Sequence, residues 1–340
     1  MTSFDLSVLG WNAGLAESLT PGLEPARVVT VHRGELDVYT AAGIVRVKLP
    51  GRLVFDGTDL AVGDWIGLDG SVVRSALPRR SALTRNAAGR ATAAQTLVAN
   101  VDLAFLVSSL GPELDPRRIE RYLVTIWESG AAPEIVLTKA DRAVDPGPLV
   151  ASVEAVALGV LVHVVSARTG QGCDELRARI SPGTTAVLLG SSGVGKSTLV
   201  NRFAGDELMA TTETRTDDDK GRHTTSHREL ILLPGGGIVI DTPGLRELQL
   251  WNAAGGIDEA FADIEELAGQ CRFGDCTHTL EPGCAVLAAV AAGTLATGRL
   301  ENWRKLQREL DALAVRQDGL LRREETRNLT RARRTESKPR

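Results

Sequence analysis

Along residues 27–77 apolar and polar positions alternate in short runs, the period-2 texture of half-buried strands. Val45-Arg46-Val47-Lys48-Leu49 is the clearest case, and Val28–Val31, Leu36–Thr40, Trp65–Leu68 and Ser71–Arg74 are the other candidates. Turn signals separate them at Arg33-Gly34, Ala42-Gly43, Pro50-Gly51, Asp56-Gly57 and Asp69-Gly70. Five strands in so short a stretch predict a small β-barrel, either of the oligonucleotide-binding (OB) type or SH3-like; periodicity does not separate the two. Trp65 falls at a core position. Residues 1–25, with weak periodicity, read as a partly ordered lead-in.

Beyond residue 100 the texture changes. Val101–Leu110 is a continuous apolar run, as a buried strand requires, and Arg117–Glu128 has helical spacing. Strands follow at Glu134–Leu137, Leu161–Val165 and Thr185–Leu189, with helices at Leu149–Leu158, Cys173–Ile180 and Thr198–Ala204. Glu229–Leu233 and Gly237–Ile240 are two more strands. Strands alternating with helices predict a parallel sheet wrapped by helices. From about Leu250 the pattern turns helical, and Leu300, Trp303, Leu306, Leu310 and Leu313 mark an amphipathic helix. The expected architecture is multidomain: a barrel with its lead-in over 1–80, an α/β domain over 81–250, and a mostly helical domain over 251–340.

Charge and cysteines add chemistry to this outline. The net charge is −4, yet residues 322–340 carry eight Arg/Lys against three Glu, and Arg74–Arg90 holds five arginines and no acid. Local basic patches on an acidic chain suit docking on nucleic acid at chosen points, a solvated linker or tail being the plain alternative for each. No apolar run approaches a membrane span, and Met1–Asn12 lacks the basic-then-apolar pattern of a secretion signal, so a cytoplasmic protein without a membrane partner is expected. Of four cysteines, three lie with a histidine in Cys271-x₄-Cys276-x-His278-x₅-Cys284. In a reducing compartment that cluster argues for metal over disulfides. Three thiolates and one imidazole fill a tetrahedral Zn²⁺ shell, leaving no position for water, so the expected role is structural. Cys173 stands apart and reads as a small apolar residue.

Gly190–Ser197 reads Gly190-Ser191-Ser192-Gly193-Val194-Gly195-Lys196-Ser197, with Thr198 next, between an apolar strand and a helix. That is the phosphate-loop pattern in the context it needs. Its glycines let backbone N–H groups turn toward the β- and γ-phosphates, Lys196 adds positive charge, and the Ser197 hydroxyl can hold Mg²⁺. Asp241-Thr242-Pro243-Gly244 closes a later strand; Asp241 can reach Mg²⁺ and the Gly244 N–H the γ-phosphate. Thr138-Lys139-Ala140-Asp141 resembles the Asn-Lys-x-Asp element of GTPases, whose aspartate accepts from the N1–H and 2-amino groups of guanine. Adenine lacks both donors, and such sites discriminate by roughly 10⁴–10⁵ at the upper end. Lys139 can lay its stem over the base, and Thr138 replaces the usual Asn. Ser166-Ala167 resembles the remaining element, whose backbone meets the guanine oxygen. These base-reading elements precede the phosphate loop, the reverse of ordinary GTPases, which implies a circular permutation.

A permuted GTPase with a barrel before it and a cysteine cluster after it resembles the ribosome small-subunit-dependent GTPase A (RsgA) family. The resemblance rests on Thr138–Asp141, Gly190–Thr198, Gly221–Thr225, Asp241–Gly244 and the cysteine cluster, and spans nearly the whole chain from Arg27. It implies a GTPase, working as a monomer, that binds the 30S subunit and its 16S rRNA alongside assembly factors, acts in late maturation, and is stimulated by that subunit. Leu245 stands where many GTPases carry a water-orienting Gln. The resemblance offers His223 for that task, and Thr225 in preference to Thr224 as a further Mg²⁺ ligand. An RNA-binding scaffold with an almost inactive nucleotide domain is the alternative that Leu245 keeps open.

Overall fold

A computed structural model describes residues 4–51, 59–86, 94–205, 228–241 and 254–336. It divides into two compact units, Met1–Thr84 with Thr96–Leu248, and Arg85–Gln95 with Gln249–Arg340.

In the first unit a 3₁₀ turn (Leu6–Leu9) and helix α1 (Ala13–Ser18) lead into β1 (Glu24–Val31), β2 (Glu35–Thr40), β3 (Gly43–Lys48), β4 (Trp65–Asp69) and β5 (Val72–Ala76). These close as a barrel in the order β1-β2-β3-β5-β4, β1 pairing antiparallel with both β2 and β4, while β3 meets β5 in parallel. That Greek-key closure is the OB arrangement, and strand order supplies what periodicity left open. Alternation selects the core: Leu36 and Val38 on β2 point in with Val28, Val47, Ile66 and Val73. Trp65 is buried, as expected, and the guanidinium of Arg27 lies 5.5 Å from its ring.

Arg27 is 1% exposed. Its Nε donates to Gly63 O (3.3 Å), its Nη2 to Asn100 O (3.1 Å), and its Nη1 to Leu9 O. Burial lowers its pKa to about 10, so at neutral pH it stays a cation surrounded by carbonyls from the lead-in, the barrel and the segment before the sheet.

The stretch Arg74–Arg90, which reads as a basic docking patch or a solvated linker, is partly strand. β6 (Ala82–Asn86) and β7 (Ala94–Ala99) form a two-stranded ribbon, hidden in the sequence because neither run carries a long apolar alternation. Its arginines are also less available than composition suggests. Arg74 pairs with Asp69 (2.8 Å), Arg79 with the buried Asp64 (2.7 Å) and Arg80 with Asp102 (3.1 Å), while Arg85 donates to Gln95. Arg90 lies outside the described residues.

The α/β part holds β8 (Leu103–Ser109), α2 (Pro116–Glu128), β9 (Ala132–Thr138), α3 (Gly147–Glu154), β10 (Val162–Val164), α4 (Cys173–Ala178), β11 (Thr185–Leu189), α5 (Lys196–Ala204), β12 (Glu229–Leu232) and β13 (Ile238–Asp241). The sheet order is β10-β9-β8-β11-β13-β12, parallel except for β12 at one edge. Pro116 at the start of α2 and the Asp115 carboxylate capping Arg117 N–H explain where that helix begins.

The second unit contains α6 (Ala254–Ala260), α7 (Ala262–Ala268), α8 (Ala285–Ala291) and α9 (Thr297–Glu336). Phe261 and Ile264 are fully buried; Arg299 stacks on Phe261 at 4.7 Å and forks onto Asp263 at 2.6 and 2.7 Å. The apolar stripe predicted only the front of α9. The helix runs on to Glu336 because residues 314–336 are rich in helix formers without needing an apolar face. Among the described residues no helix is long and apolar enough to cross a membrane.

Candidate functional site

From β8 the chain steps outward to β9 and β10, then returns to β11 on the other side of β8, and reaches the edge strand β12 before β13 fills the place beside β11. The strand order therefore reverses between β8 and β11, and the crevice beyond their carboxyl ends is where such sheets take ligands. The predicted elements converge on that edge. Gly190–Gly195 leaves β11, Thr138–Asp141 leaves β9, Ser166–Ala167 follows β10, and Asp241 ends β13.

The phosphate loop is backbone architecture. Gly190, Gly193 and Gly195 have φ of +143°, +79° and +102°, in the region where a side chain strains the chain. At Gly190 a Cβ would lie 2.1 Å from Val107 O, so the loop approaches β8 as closely as only glycine permits. Buried Val194 anchors its far side in the core, beside Leu199 and Phe203. α5 begins at Lys196 without a side-chain cap, which leaves its first N–H groups, around Ser197 and Thr198, for a ligand. Lys196 Nζ donates to Gly190 O (2.8 Å) and Ser191 O (2.7 Å), so the ammonium is held under the arch of the loop, with Ser192 at its exposed crest.

The base-reading end is assembled from side chains. Buried Thr138 brings its hydroxyl within 2.5 Å of Val194 O and 3.2 Å of Ser108 O, tying the end of β9 to the phosphate loop and to β8. Lys139 takes φ +60° and turns the chain into a short 3₁₀ turn that presents Asp141. Ser166, fully buried, donates its hydroxyl to Asp141 Oδ1 at 2.6 Å and accepts from Thr169 N–H. The Ser166 hydrogen bond holds the Asp141 carboxyl below the usual carboxylate range. Arg168 stands 3.7 Å from Asp141 Oδ2. From α5, Arg202 reaches Ala167 O at 3.4 Å. Sequence reasoning valued Ser166 for its backbone and missed its hydroxyl. It also passed over Arg168, though a cation directly after Ser-Ala was a visible signal. His223, Thr224, Thr225, Gly244 and Leu245 lie outside the described residues.

The second unit carries its own cluster. The donor atoms of Cys271, Cys276, His278 and Cys284 all lie within 4.8 Å of one another and could hold a metal ion. His278 Nδ1 is 3.6 Å from Cys271 Sγ and 3.5 Å from Cys284 Sγ, and those sulfurs are 3.8 Å apart. The surroundings aim the donors: Leu287 N–H points at Cys284 Sγ, Arg304 donates to His278 O, and Trp303 packs edge-on against the imidazole. Burial, with the neighbouring sulfurs, pushes the Cys276 thiol up to about 11, and a bound cation is what would let three thiolates coexist there. Cys173 lies outside this cluster, buried in the core of the first unit, as expected.

Comparison with known proteins now adds to this geometry. The family model described as RsgA GTPase matches residues 76–251. Small ribosomal subunit biogenesis GTPase RsgA of Streptomyces coelicolor is 48% identical over 94% of this chain and 90% of its own length. The Methanosarcina acetivorans protein of the same name is 44% identical over 89% and 85%. Among solved structures, YjeQ from Thermotoga maritima is similar with a TM-score of 0.65 at 28% identity, over 84% of this chain and 98% of that one. YloQ, described as a circularly permuted GTPase, has a TM-score of 0.61 at 23% identity, over 86% and 96%, and bears on the fold alone. The sheet order, in which base-reading strands β9 and β10 precede the phosphate loop along the chain yet lie in the same sheet on the far side of β8 from β11, is that permuted arrangement. With a model match over more than half its length and relatives this similar over nearly all of it, the chain belongs to the RsgA GTPase family.

Proposed function

We propose that this GTPase hydrolyses GTP to GDP and phosphate in the cytoplasm as a monomer, and spends the cycle on maturation of the small ribosomal subunit, bound to its 16S rRNA. The observation that carries the nucleotide assignment is the carboxylate of Asp141, kept ionised by Ser166 at one end of a crevice whose other end is a glycine-built phosphate loop. An ionised acceptor there fits the N1–H and 2-amino donors of guanine and rejects adenine. In this reading Ala167 N–H meets the guanine oxygen, Lys139 covers the base, and Lys196 and the start of α5 bind the phosphates. The ribosomal assignment draws on relatives named for small-subunit biogenesis that match nearly end to end.

A hydroxyl in the first turn of α5, Ser197, and a carboxylate at the end of β13, Asp241, are the hard oxygen donors Mg²⁺ prefers, and Thr225 would complete the protein's share. An Mg²⁺ ion held by these residues would supply positive charge beside the phosphates of the nucleotide. His223 is the proposed water-orienting group. Replacing it with Ala leaves GTP affinity intact and removes most of the subunit-stimulated turnover; an unchanged stimulated kcat rules the role out.

Zinc is the ion we assign to the cysteine cluster. Tetrahedral zinc about 2.3 Å from sulfur and about 2.05 Å from nitrogen needs S···S edges of about 3.8 Å and S···N edges of about 3.5 Å. The separations among Cys271, His278 and Cys284 are 3.8, 3.6 and 3.5 Å, and the Cys276 sulfur lies within 4.8 Å of the other donors. With four protein donors the shell is closed, so the ion folds the unit and does no chemistry. Purified protein should carry about one zinc per chain; metal-free protein with the second unit intact contradicts this.

The decisive experiment is the GTPase rate as purified 30S subunits are added. Stimulation that saturates with subunit supports the proposal, and equal rates with and without subunits refute it.

A further inference from the structure

Glu134 belongs to no element of the phosphate or base machinery, yet it is a charged group on β9, one strand in from the sheet edge, with a side chain only 4% exposed. It shares one face of β9 with Val136 and Thr138, since side chains two apart point the same way. Two cations or potential cations meet it. His163 on β10 sits 2.7 Å from Oε2. Arg179, at the C-terminal end of α4, donates from Nη2 (2.6 Å) and Nε (3.0 Å) to Oε1. Burial works to raise the Glu134 carboxyl, and the hydrogen bonds from His163 and Arg179 outweigh it, leaving the group below its ordinary range.

These partners are the two stems of the base-reading loop. β10 is a three-residue strand at the sheet edge, paired with β9 from Val162 to Val164. The loop that follows carries Ser166 and Ala167, and α4, six residues long, brings the chain back down to Arg179. So short a strand and so short a helix hold their own positions weakly. One buried carboxylate fastens both to β9, and β9 is the strand that ends in Thr138 and presents Asp141. The 2.6 Å contact from Ser166 to Asp141 lies at the carboxyl end of the same two strands that Glu134 bridges, where Val165 N–H also meets Leu137 O at 2.9 Å and Ala140 N–H meets Val165 O at 3.2 Å.

We infer that Glu134 is a positioning residue for guanine selection, acting through His163 and Arg179 to hold the Ser166–Ala167 loop in register with Asp141. The inference rests on the GTP reading above. It assigns selectivity to a side chain outside the crevice and joins the base of β9, where Glu134 sits, to its tip, where Thr138 secures the phosphate loop.

The test compares GDP with IDP, which lacks the 2-amino donor, by displacement of a fluorescent guanine nucleotide from the full chain. Wild type, Glu134→Gln and Arg179→Met are measured. Loss of folded protein removes sites for both nucleotides equally, so the GDP-to-IDP affinity ratio is insensitive to mere destabilisation. The ratio is expected to fall about tenfold in Glu134→Gln, the scale of a sub-ångström misplacement. It should fall by less in Arg179→Met, with kcat at saturating GTP unchanged in both. A ratio kept at the wild-type value, with only a lower melting temperature, overturns the inference. If Glu134→Gln does not fold, Arg179→Met, altering a half-exposed side chain, decides alone by the same criterion. Wild-type protein that does not prefer GDP to IDP sinks the guanine reading and this inference with it.

Discussion

At the phosphate end of the crevice the backbone makes the site, whereas at the base end side chains make it. Gly190, Gly193 and Gly195 shape a loop whose donors are main-chain N–H groups, and even Lys196 is oriented by the loop's own carbonyls. Asp141 instead owes its position to Ser166, and Thr138 reaches across 56 residues of sequence to Val194. The loop after β11 sits in mid-sheet between β8 and β13, while the base segments hang from the edge pair β9 and β10. The phosphate cradle is thus rigid by local construction, and the base pocket is only as firm as its cross-links.

That contrast can be broken most forcefully at Gly190. Gly190→Ala puts a methyl 2.1 Å from Val107 O, and the loop must move by about 1 Å or more. GTP and ITP affinities should both drop by roughly 10²-fold with their ratio unchanged, because the damage is confined to the phosphates. Calorimetric titration with both nucleotides checks this, and a changed ratio would mean the two ends are not separately built.

Ser166→Ala strikes the other end. Guanine affinity should fall by about tenfold, as for a lost hydrogen bond to a charged group, while the phosphate contribution stays. It should also change the pH profile. Asp141 is depressed below its ordinary range, so its ionised contribution is present above that range and is lost only as pH falls through the lowered value. Without the Ser166 donor the carboxyl returns toward its ordinary value, and GDP binding should fail at a higher pH than in wild type. Coincident acid limbs in the two proteins would show that Ser166 does not govern that carboxylate.

The smallest effect is expected at the bridge between the ends. Thr138→Val keeps the shape of the buried side chain but leaves the Val194 and Ser108 carbonyls without that donor, at a cost of about 1–2 kcal/mol. Urea unfolding should give a lower midpoint with an unchanged slope, and nucleotide selectivity should shift only slightly.

What the sequence disclosed follows the same division. The phosphate loop is eight consecutive residues between a strand and a helix, so its pattern and its context were both local and readable. The barrel strands, the alternating β and α segments and the cysteine spacing were readable for the same reason. Ser166 with Asp141 lies 25 residues apart and Arg179 with Glu134 45 apart, and nothing in the spacing of those residues marks them as partners. The β6–β7 ribbon escaped notice because its basic, small-residue composition resembles a linker. Arg79 reads in the sequence as one of five arginines in a stretch without acids, and only the fold brings Asp64 to it.

Arg27 sets a limit on how this chain can be cut. Its guanidinium gathers carbonyls of Leu9, Gly63 and Asn100 around a cation that water does not reach, while Gly63 comes so close to Ala99 that a Cβ would lie 2.1 Å from its oxygen. A chain begun after the barrel would leave the Asn100 carbonyl without its donor and uncover the ground beneath Gly63. The barrel alone would keep the buried cation and lose an acceptor for it. By strand order the barrel is a separable module; by thermodynamics it and the sheet are one inheritance, to be kept or lost together.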